Sequence, residues 1–436
     1  MGYLMLRILI INYRNTIKKP LLWIFALSVL FTTPLYATPP LQLFIDLTSP
    51  GKTLRLMPGT YTGPAIITKP ITIDGLGEAT ITGNGKGTVL TIKADGVIVR
   101  NCHITNSGGS HDQVDAAILI NADQVVIENN HIDDVLFGVH ISAGDHNIVR
   151  GNSITSRPVG LSLRGEGIRI WYGQHNLIEG NNIHGVRDLV LTNSPHNIIS
   201  GNRIADSRMG MELIYSPETE IRDNYLLDNE HGIVGVYSDA LHIHNNRIEH
   251  QGHLLGSAIA VKGSSQIVIE YNGILDCAVG LTANSPLYPE NILYIKNNTF
   301  AYNDVAMYFY GEKGGHIIHD NVFAGNFQQI AVTGPTSALD NDWLGNMWQD
   351  YEGFDQDNDG RGDTPYSAYL FSERIWMDRP MAKFFRGAPL IEVIDFVERL
   401  APFSDPWLIL QDPSPRMAKS ASAQLKDIEL FLPARR

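Results

Sequence analysis

The chain has 436 residues, of which 44% are hydrophobic and 18% charged, and it contains 40 glycines. This composition is typical of a globular, turn-rich protein that is long enough to bury a large core. Its 46 acidic and 33 basic residues give a formal net charge of −13. Because nucleic-acid binding needs a basic footprint, this charge argues against DNA or RNA as a partner.

Residues 1–37 have the features of a secretory signal. An apolar run at 21–31 follows Arg14, Lys18 and Lys19, and Ala37 ends a short stretch suited to cleavage. The run is short for a membrane span, which needs about 20 apolar residues, although a permanent anchor is the alternative. We predict export and cleavage near Ala37. Cleavage would remove four basic and no acidic residues and leave a net charge of −17.

Residues 53–82 alternate apolar and polar side chains between Gly and Pro turns, and they are predicted to form the opening coils of a repeat. From there to Trp348, an asparagine returns at intervals of 21 to 29 residues, each time two residues before an apolar one. A period in the low twenties fits one coil of a β-solenoid, and the leucine-rich pattern is absent. The repeated residues are Asn130, Asn152, Asn181, Asn202, Asn224, Asn246, Asn272, Asn298, Asn321 and Asn346.

Equivalent strands in successive coils lie about 4.8 Å apart, so inward asparagines can form a hydrogen-bonded ladder at a bend. We therefore predict an all-β fold, a right-handed parallel β-helix of the pectate-lyase-like kind over residues 38–348. Cys102 takes the asparagine position in the first coil. Cys277 lies about seven coils away, over 30 Å at this spacing, so the two cysteines cannot form a disulfide within the chain.

The second strand of each coil places alternate residues on opposite faces. Val139, Ile168, Leu189, Met211 and Ile233 align on one side, with Ile141, Ile170, Leu191 and Leu213 beside them, and we assign these to the core. The opposite face carries Trp171, Ile214 and Val236. This outward stripe is apolar enough to indicate either partner contact or cover by loops of the same chain.

Two sets of residues on successive coils are candidate metal ligands. His146, His175 and His196 recur six residues before an asparagine, where they could bind a metal, although stacked turn histidines bonded to backbone are the alternative. Met209 and His231 fall at equivalent positions on adjacent coils, with Met211 nearby. Thioether and imidazole groups suit Cu(I), although Met211 also aligns with the core.

Residues 349–380 lose the repeat and contain an acidic loop. Asp355, Asp357, Asp359 and Asp363 stand at positions 1, 3, 5 and 9 of this loop, with a glycine at position 6 and the Arg361 carbonyl at position 7. These hard oxygen ligands predict a structural calcium site like that of an EF-hand loop. Position 12 is Tyr366 rather than Glu, and a solvated acidic turn is the alternative.

The last segment, residues 381–436, is predicted to be an amphipathic α-helical extension. Apolar residues at 390, 393, 394, 397 and 400 form one helical face after Pro389. Leu390, Ile394 and Val397 on this face would either cap the open end of the solenoid or dock onto a partner.

Several stretches resemble the NosD family of nitrous oxide reductase maturation proteins, from about Leu54 to Asp405. They are Gly167–Tyr172, Arg187–Leu191, Ile214–Ser216, Phe300–Val305, Asn341–Asn346 with Trp348, Tyr351–Asp355, Gly362–Tyr366 and Ala401–Phe403. The resemblance implies a periplasmic protein that works with the subunits of a membrane ABC transporter and a copper chaperone to supply copper to nitrous oxide reductase. It also implies attachment to that membrane complex, which we assign to the C-terminal extension.

One departure from the family concerns copper. Members of the family often carry an outward Met in these coils, where this chain has Thr192, Ile214 and Val236, and Glu212 replaces a family His. We therefore carry no copper ligand over from the family.

An exported polysaccharide lyase, hydrolase or epimerase is the main alternative, because parallel β-helices often act on uronic-acid polymers. Such an enzyme needs two or three clustered carboxylates and a base. The outward stripe offers Arg169 and Glu212, and Arg187–Asp188 and Glu230–His231 look like scattered pairs. The sequence therefore favours a non-enzymatic protein. An adhesin-like binding module is a third possibility.

Overall fold

The computed structural model describes residues 38–252, 256–284, 291–310, 314–333, 337–370 and 407–417, and the single residues 389, 393, 396 and 397. The predicted signal at 1–37 lies outside the described residues, as do Leu390 and Ile394 of the predicted C-terminal helix.

Most of the described chain is a stack of parallel β-coils. Each complete coil contributes a short strand to each of three sheets, and each strand pairs in parallel with its equivalent in the next coil. The pairing is in register apart from local shifts, such as the one between Asp188 and Val190. Ile154, for example, is opposite Ile183, which in turn is opposite Ile204. Side chains that are equivalent in the repeat therefore form continuous columns along the stack.

The first and second sheets are joined through the long strands Thr72–Thr82 and Ile98–Thr105, which contribute to both. The other strands of the first sheet are Thr53–Arg55, Val126–Glu128, Ile148–Arg150, Leu177–Glu179, Ile198–Ser200, Glu220–Arg222, His242–His244, Ile267–Glu270, Leu293–Lys296, Ile317–His319 and Asp342–Leu344. Those of the second sheet are Gly59–Thr62, His131–Val135, Ser153–Ser156, Asn182–His184, Arg203–Ala205, Tyr225–Leu227, Arg247–Glu249, Gly273–Leu275, Thr299–Ala301, Val322–Ala324 and Met347–Trp348.

In the described part of the chain, the third sheet has twelve strands. They are Ala65–Ile67, Leu90–Ile92, Ala116–Ile120, Phe137–Ser142, Ile168–Trp171, Asp188–Thr192, Met209–Ile214, His231–Val236, Ser257–Lys262, Val279–Asn284, Val305–Phe309 and Gln328–Val332. Outside the coils, Tyr366–Leu370 and Trp407–Asp412 form an antiparallel pair. Helix α1 spans Leu41–Leu47, and a 3₁₀ turn spans Leu161–Leu163.

Asparagines form a buried ladder at the bend between the first and second sheets, as the repeat predicts. The Oδ1 atom of each accepts the backbone N–H of the previous ladder residue, as in the 2.9 Å bond from Asn202 to Asn224. At the first rung, the N–H of Cys102 donates to Asn130 Oδ1 at 3.0 Å, so Cys102 does occupy the asparagine position. Both cysteines are buried and free.

The C-terminal end of the ladder is closed by a residue distant in sequence. Asp412 Oδ2 accepts the backbone N–H of Asn346 at 3.0 Å and the Trp348 indole N–H at 3.2 Å. The Trp348 ring lies between Phe323, 4.2 Å away, and Tyr366, 4.5 Å away. The antiparallel pair therefore caps the last coil, a role that the sequence assigned to the helix as one of two alternatives.

Helix α1 covers the other end of the stack. Leu41 and Ile45 are buried in the common core. The Gln42 side chain bonds both backbone groups of Ile66, accepting its N–H at 2.7 Å and donating to its carbonyl at 3.2 Å. Ile66 lies in the first strand of the third sheet, so Gln42 pairs an edge that would otherwise be open.

Within the described residues, helices of the length and apolar character needed to cross a membrane are absent.

Candidate functional site

The outer face of the third sheet carries the candidate copper ligands. Met209 and His231 are opposite each other on adjacent strands, as the alignment predicts. Met211 is fully buried in the core cluster, so its thioether does not share that face. His231 Nδ1 accepts the Ser257 backbone N–H at 3.3 Å, which places the proton of the neutral ring on Nε2. Copper binding at Nε2 needs the lone pair of that atom, so the ring proton has to move to Nδ1. Nδ1 then no longer accepts the Ser257 N–H, and this hydrogen bond is lost.

A network of five charged residues borders this pair on three successive coils. Asp188 is fully buried, and its carboxylate accepts from Arg208 Nε at 3.0 Å and from Arg187 Nε at 3.1 Å. Arg187 also donates to Glu166, and Arg208 lies 3.8 Å from Glu212. The sequence missed this network and treated Arg187–Asp188 as a scattered pair.

The charged groups of this network are paired mainly with one another and with the backbone. Asp188 Oδ1 also accepts the Met209 backbone N–H at 3.0 Å, so the ion pairs fix the backbone beside the Met209–His231 pair. Burial raises the pKa of Glu212, and the Asp188 carboxylate adds to the rise. The network therefore places charged groups beside the Met209–His231 pair. Its most buried carboxylate, that of Asp188, is already paired with two guanidinium groups.

His140 lies on the same face, two coils before Val190. It is 6% exposed, and its Nδ1 atom has no hydrogen-bond partner among the described residues. Burial lowers its pKa to about 4, with the Arg169 guanidinium as a second cause. His140 is therefore neutral at neutral pH.

The predicted apolar stripe is in register. Trp171, Thr192, Ile214 and Val236 are successive partners along one column. Trp171 is 38% exposed, and Arg169 lies over its ring at 4.8 Å. Exposed Tyr215 and Tyr237, one residue beyond this column, stack at 5.2 Å. The structure thus presents an accessible aromatic edge, and partner docking there remains a prediction.

The three turn histidines form a stack. The rings of His146, His175 and His196 follow one another with centroids 5.1 Å apart. His196 Nδ1 lies 3.3 Å from the Glu218 carboxylate. In the described part of the chain, the ring nitrogens of these three histidines do not all come within 4.8 Å of one another. This geometry favours ring stacking, and metal binding by these residues remains a prediction.

The acidic loop does bring ligand atoms together. Carboxylate oxygens of Asp355, Asp357 and Asp359 lie within 4.8 Å of one another. Asp363 Oδ2 accepts the Gln356 N–H at 2.6 Å, and Asp355 Oδ2 accepts the Gly360 N–H at 3.0 Å. Arg361 ties the loop to the cap, because its guanidinium donates to the Ser414 carbonyl at 3.3 Å. Calcium binding here remains a prediction.

Sequence reasoning missed a second convergent group, on the outer face of the second sheet. His103 Nε2 lies 2.9 Å from one Asp133 oxygen, and His131 Nε2 lies 3.1 Å from the other. The two histidines are register partners on neighbouring strands. They are 28 positions apart, as Cys102 and Asn130 are, so alignment on the ladder was the signal that could have paired them.

The described residues of the C-terminal segment are helical at 389, 393, 396 and 397. Val393 and Phe396 are 58% and 63% exposed, and Val397 is 38% exposed. An apolar helical surface is therefore accessible, as the docking alternative requires.

Comparisons with known proteins identify the family. A family model described as "Periplasmic copper-binding protein (NosD)" matches residues 158–353, and one described as "Right handed beta helix region" matches residues 76–167. The "Probable ABC transporter binding protein NosD" of Pseudomonas aeruginosa is 30% identical over 385 residues, which cover 80% of this chain and 84% of that protein. The chain belongs to the NosD family.

A second NosD protein, from Stutzerimonas stutzeri and of the same description, is 28% identical over 86% of this chain and 90% of its own length. Both NosD relatives are named as transporter-binding proteins and not as enzymes. The right-handed parallel β-helix predicted from the asparagines is confirmed.

Among solved structures, the A-module of the mannuronan C-5 epimerase AlgE4 from Azotobacter vinelandii superposes with a TM-score of 0.47 and 16% identity. It covers 67% of this chain and 93% of the module. A likeness at this level assigns no activity to this chain. The NosD match includes the Met209–His231 pair and the charge network, whereas His103, His131 and Asp133 lie outside it.

Proposed function

We propose that this chain is a periplasmic accessory protein that works with an ABC transporter and a copper chaperone to supply copper to nitrous oxide reductase. The observation that carries the proposal is kinship with NosD over 80% of the chain, together with the periplasmic, copper-binding description of the family. The transporter partnership follows the names of the relatives.

The outer face of the third sheet supports a delivery surface. The twelve strands of this sheet in the described part of the chain give a long continuous face, and the central coils add exposed Trp171 and a thioether–imidazole pair. Soft thioether and borderline imidazole ligands suit Cu(I). Two protein ligands, one of which gives up a backbone hydrogen bond when it binds copper, suit transient contact better than storage.

We place the copper contact at Met209 and His231, without Met211. Replacing Met209 by Leu keeps the volume and removes the thioether, so Cu(I) affinity should fall at least tenfold. Met57→Leu is the matched control, because Met57 is 72% exposed and distant in sequence. Equal Cu(I) affinity for both variants would remove Met209 from the proposal.

For attachment to the membrane complex, we propose that the C-terminal helical surface contacts a transporter subunit. Exposed Val393 and Phe396 support this contact, and the apolar stripe with Trp171, Ile214 and Val236 is a second candidate surface.

We also propose that Asp355, Asp357 and Asp359 hold a structural calcium ion, with Asp363 and the Arg361 carbonyl as further ligands. The convergence of the first three carboxylates supports it.

A polysaccharide-active enzyme is the second candidate. The observation in its favour is that Glu166, Asp188 and Glu212 bring three carboxylates to successive coils of the third sheet. Against it, Asp188 is fully buried and paired with Arg187 and Arg208. Release of unsaturated or reducing ends from alginate or pectate, lost in Glu212→Gln, would favour the enzyme.

The decisive test is deletion of the gene in a denitrifying host, followed by spectroscopy of the copper centres of nitrous oxide reductase. We expect a reductase that lacks copper-centre absorption, and restoration by the wild-type gene. A fully copper-loaded reductase in the deletion strain would overturn the maturation role.

A further inference from the structure

We propose that His103, His131 and Asp133 form a binding site for a divalent transition-metal ion, with Zn²⁺ as its defining probe. The site goes beyond copper delivery, because it lies on the second sheet and outside the residues that match the NosD model. Its ligands are two imidazole nitrogens and one carboxylate, a set that suits Zn²⁺ and Cu²⁺ and not hard cations such as Ca²⁺.

The distances between the three ligand groups already suit an ion. Zn²⁺ binds nitrogen and oxygen at about 2.0–2.2 Å, and tetrahedral ligands around it stand about 3.3 Å apart. The two Nε2 atoms lie 2.9 and 3.1 Å from the two Asp133 oxygens, and the ligand atoms of all three residues lie within 4.8 Å of one another. Small side-chain rotations are therefore enough to enclose an ion.

The backbone holds these side chains in place. His103 and His131 are register partners on paired strands, as are Thr105 and Asp133. His103 Nδ1 lies 3.3 Å from the Thr80 hydroxyl of the preceding coil, which leaves Nε2 directed at Asp133. This is the outer hydrogen bond by which metal-binding histidines are commonly oriented.

Access and charge also suit an ion. The three side chains are 36%, 55% and 34% exposed, so an ion can enter and keep water in its remaining position. The register neighbours of the two histidines, Thr80 and Ser153, carry no charge. Positive groups therefore do not compete for Asp133 from these two positions.

The test uses the full chain and Zn²⁺ alone, measured by calorimetry at neutral pH. Asp133→Asn and His131→Gln should each remove one bound Zn²⁺ or weaken its affinity at least 100-fold. His319→Gln is the matched control, because His319 forms a similar 2.9 Å contact with Asp342 but has a single imidazole. X-ray absorption spectroscopy at the zinc edge should show two imidazole ligands in the wild type and one in His131→Gln.

Unchanged Zn²⁺ stoichiometry and affinity in both variants would overturn the site. Thermal unfolding without metal checks that each variant folds, and exposed His131 is the safer substitution if Asp133→Asn is unstable. Because Zn²⁺ is the probe, the result is independent of copper delivery: a chain that fails to mature the reductase can still pass this test.

Discussion

Asparagines at one repeated position organise the coils of this molecule. Each ladder asparagine is buried and bonds the coils on either side, so its amide satisfies backbone groups at a bend that water cannot reach. Asn181 and Asn182 show how specific the position is, because the first is 1% exposed and the second faces solvent. The side chain therefore matters at one position and not at the next.

Asn224→Ala should destabilise the fold by about 2–4 kcal/mol, since it leaves buried donors of Asn202 without their acceptor. Asn182→Ala, on the exposed side of another rung, should cost less than about 0.5 kcal/mol. Thermal unfolding followed by circular dichroism measures both. Similar midpoints for the two variants would mean that the ladder contributes little stability.

His140 should make stability depend on pH. Its pKa is lowered from 6.5 to about 4 by burial, so the unfolded chain binds more protons between these values. Its contribution is fully present above pH 6.5 and is lost as the pH falls towards 4, on the order of 3 kcal/mol.

His140→Leu should flatten this part of the stability profile, whereas His184→Leu should not, because His184 is more than half exposed. Denaturant unfolding at pH 7.5, 6, 5 and 4 provides the measurement. If both variants keep the wild-type pH dependence, His140 is not the group responsible.

At the scale of elements, the two ends of the solenoid are closed by different devices. The N-terminal edge is paired by a glutamine side chain of α1, and the C-terminal ladder ends on the carboxylate of Asp412. Asp412 is 66 positions from Asn346, its ladder partner. Neither device follows the repeat period, so the sequence pattern could not reveal them.

Asp412→Ala should destabilise the last coil by about 4 kcal/mol, because buried N–H groups of Asn346 and Trp348 lose a charged acceptor. Gln411→Ala, on the exposed face of the same strand, is the control. Trp fluorescence and limited proteolysis report on this end of the chain. An unchanged fluorescence midpoint in Asp412→Ala would show that the cap does not depend on this carboxylate.

Calcium should raise the melting temperature through the acidic loop. An ion at a concentration of 100 times its Kd stabilises the folded state by about 2.7 kcal/mol. The double substitution Asp357→Asn with Asp359→Asn should abolish this shift, and Glu352→Gln, exposed just before the loop, should retain it. Wild-type melting that is equal in calcium and in EDTA would exclude a structural ion.

For the whole molecule, the C-terminal segment combines two features, a cap and an exposed apolar surface. Trp407–Asp412 caps the solenoid, while Val393 and Phe396 present exposed apolar side chains. Removing residues 381–436 would delete both, so loss of a partner after truncation would not distinguish docking from damage to the fold. Substitutions on the helical surface avoid this problem.

Val393→Ser with Phe396→Ser should reduce co-purification of transporter subunits from membranes at least tenfold while leaving the melting temperature unchanged. Leu47→Ser, at an 85% exposed apolar position on α1, is the control for general loss of surface hydrophobicity. Full recovery of the transporter with the double variant would locate docking elsewhere, with the Trp171 stripe as the next surface to test.

The sequence by itself determined the coil, because a side chain that must bond its own equivalents has to recur at each turn. It also placed the core residues and the register of Met209 with His231, since period-two alternation and the ladder together fix both face and level. Only the tertiary structure decided which charged side chains meet. Arg187 and Arg208 meet at Asp188 beside a shift in register between Asp188 and Val190, and the pairing of coils brings His103, His131 and Asp133 together. The contacts of Asp188 depend on a local irregularity that a regular repeat does not encode. The repeat does align His103 with His131, but it does not show that Asp133 reaches both rings, because side-chain directions depend on local packing.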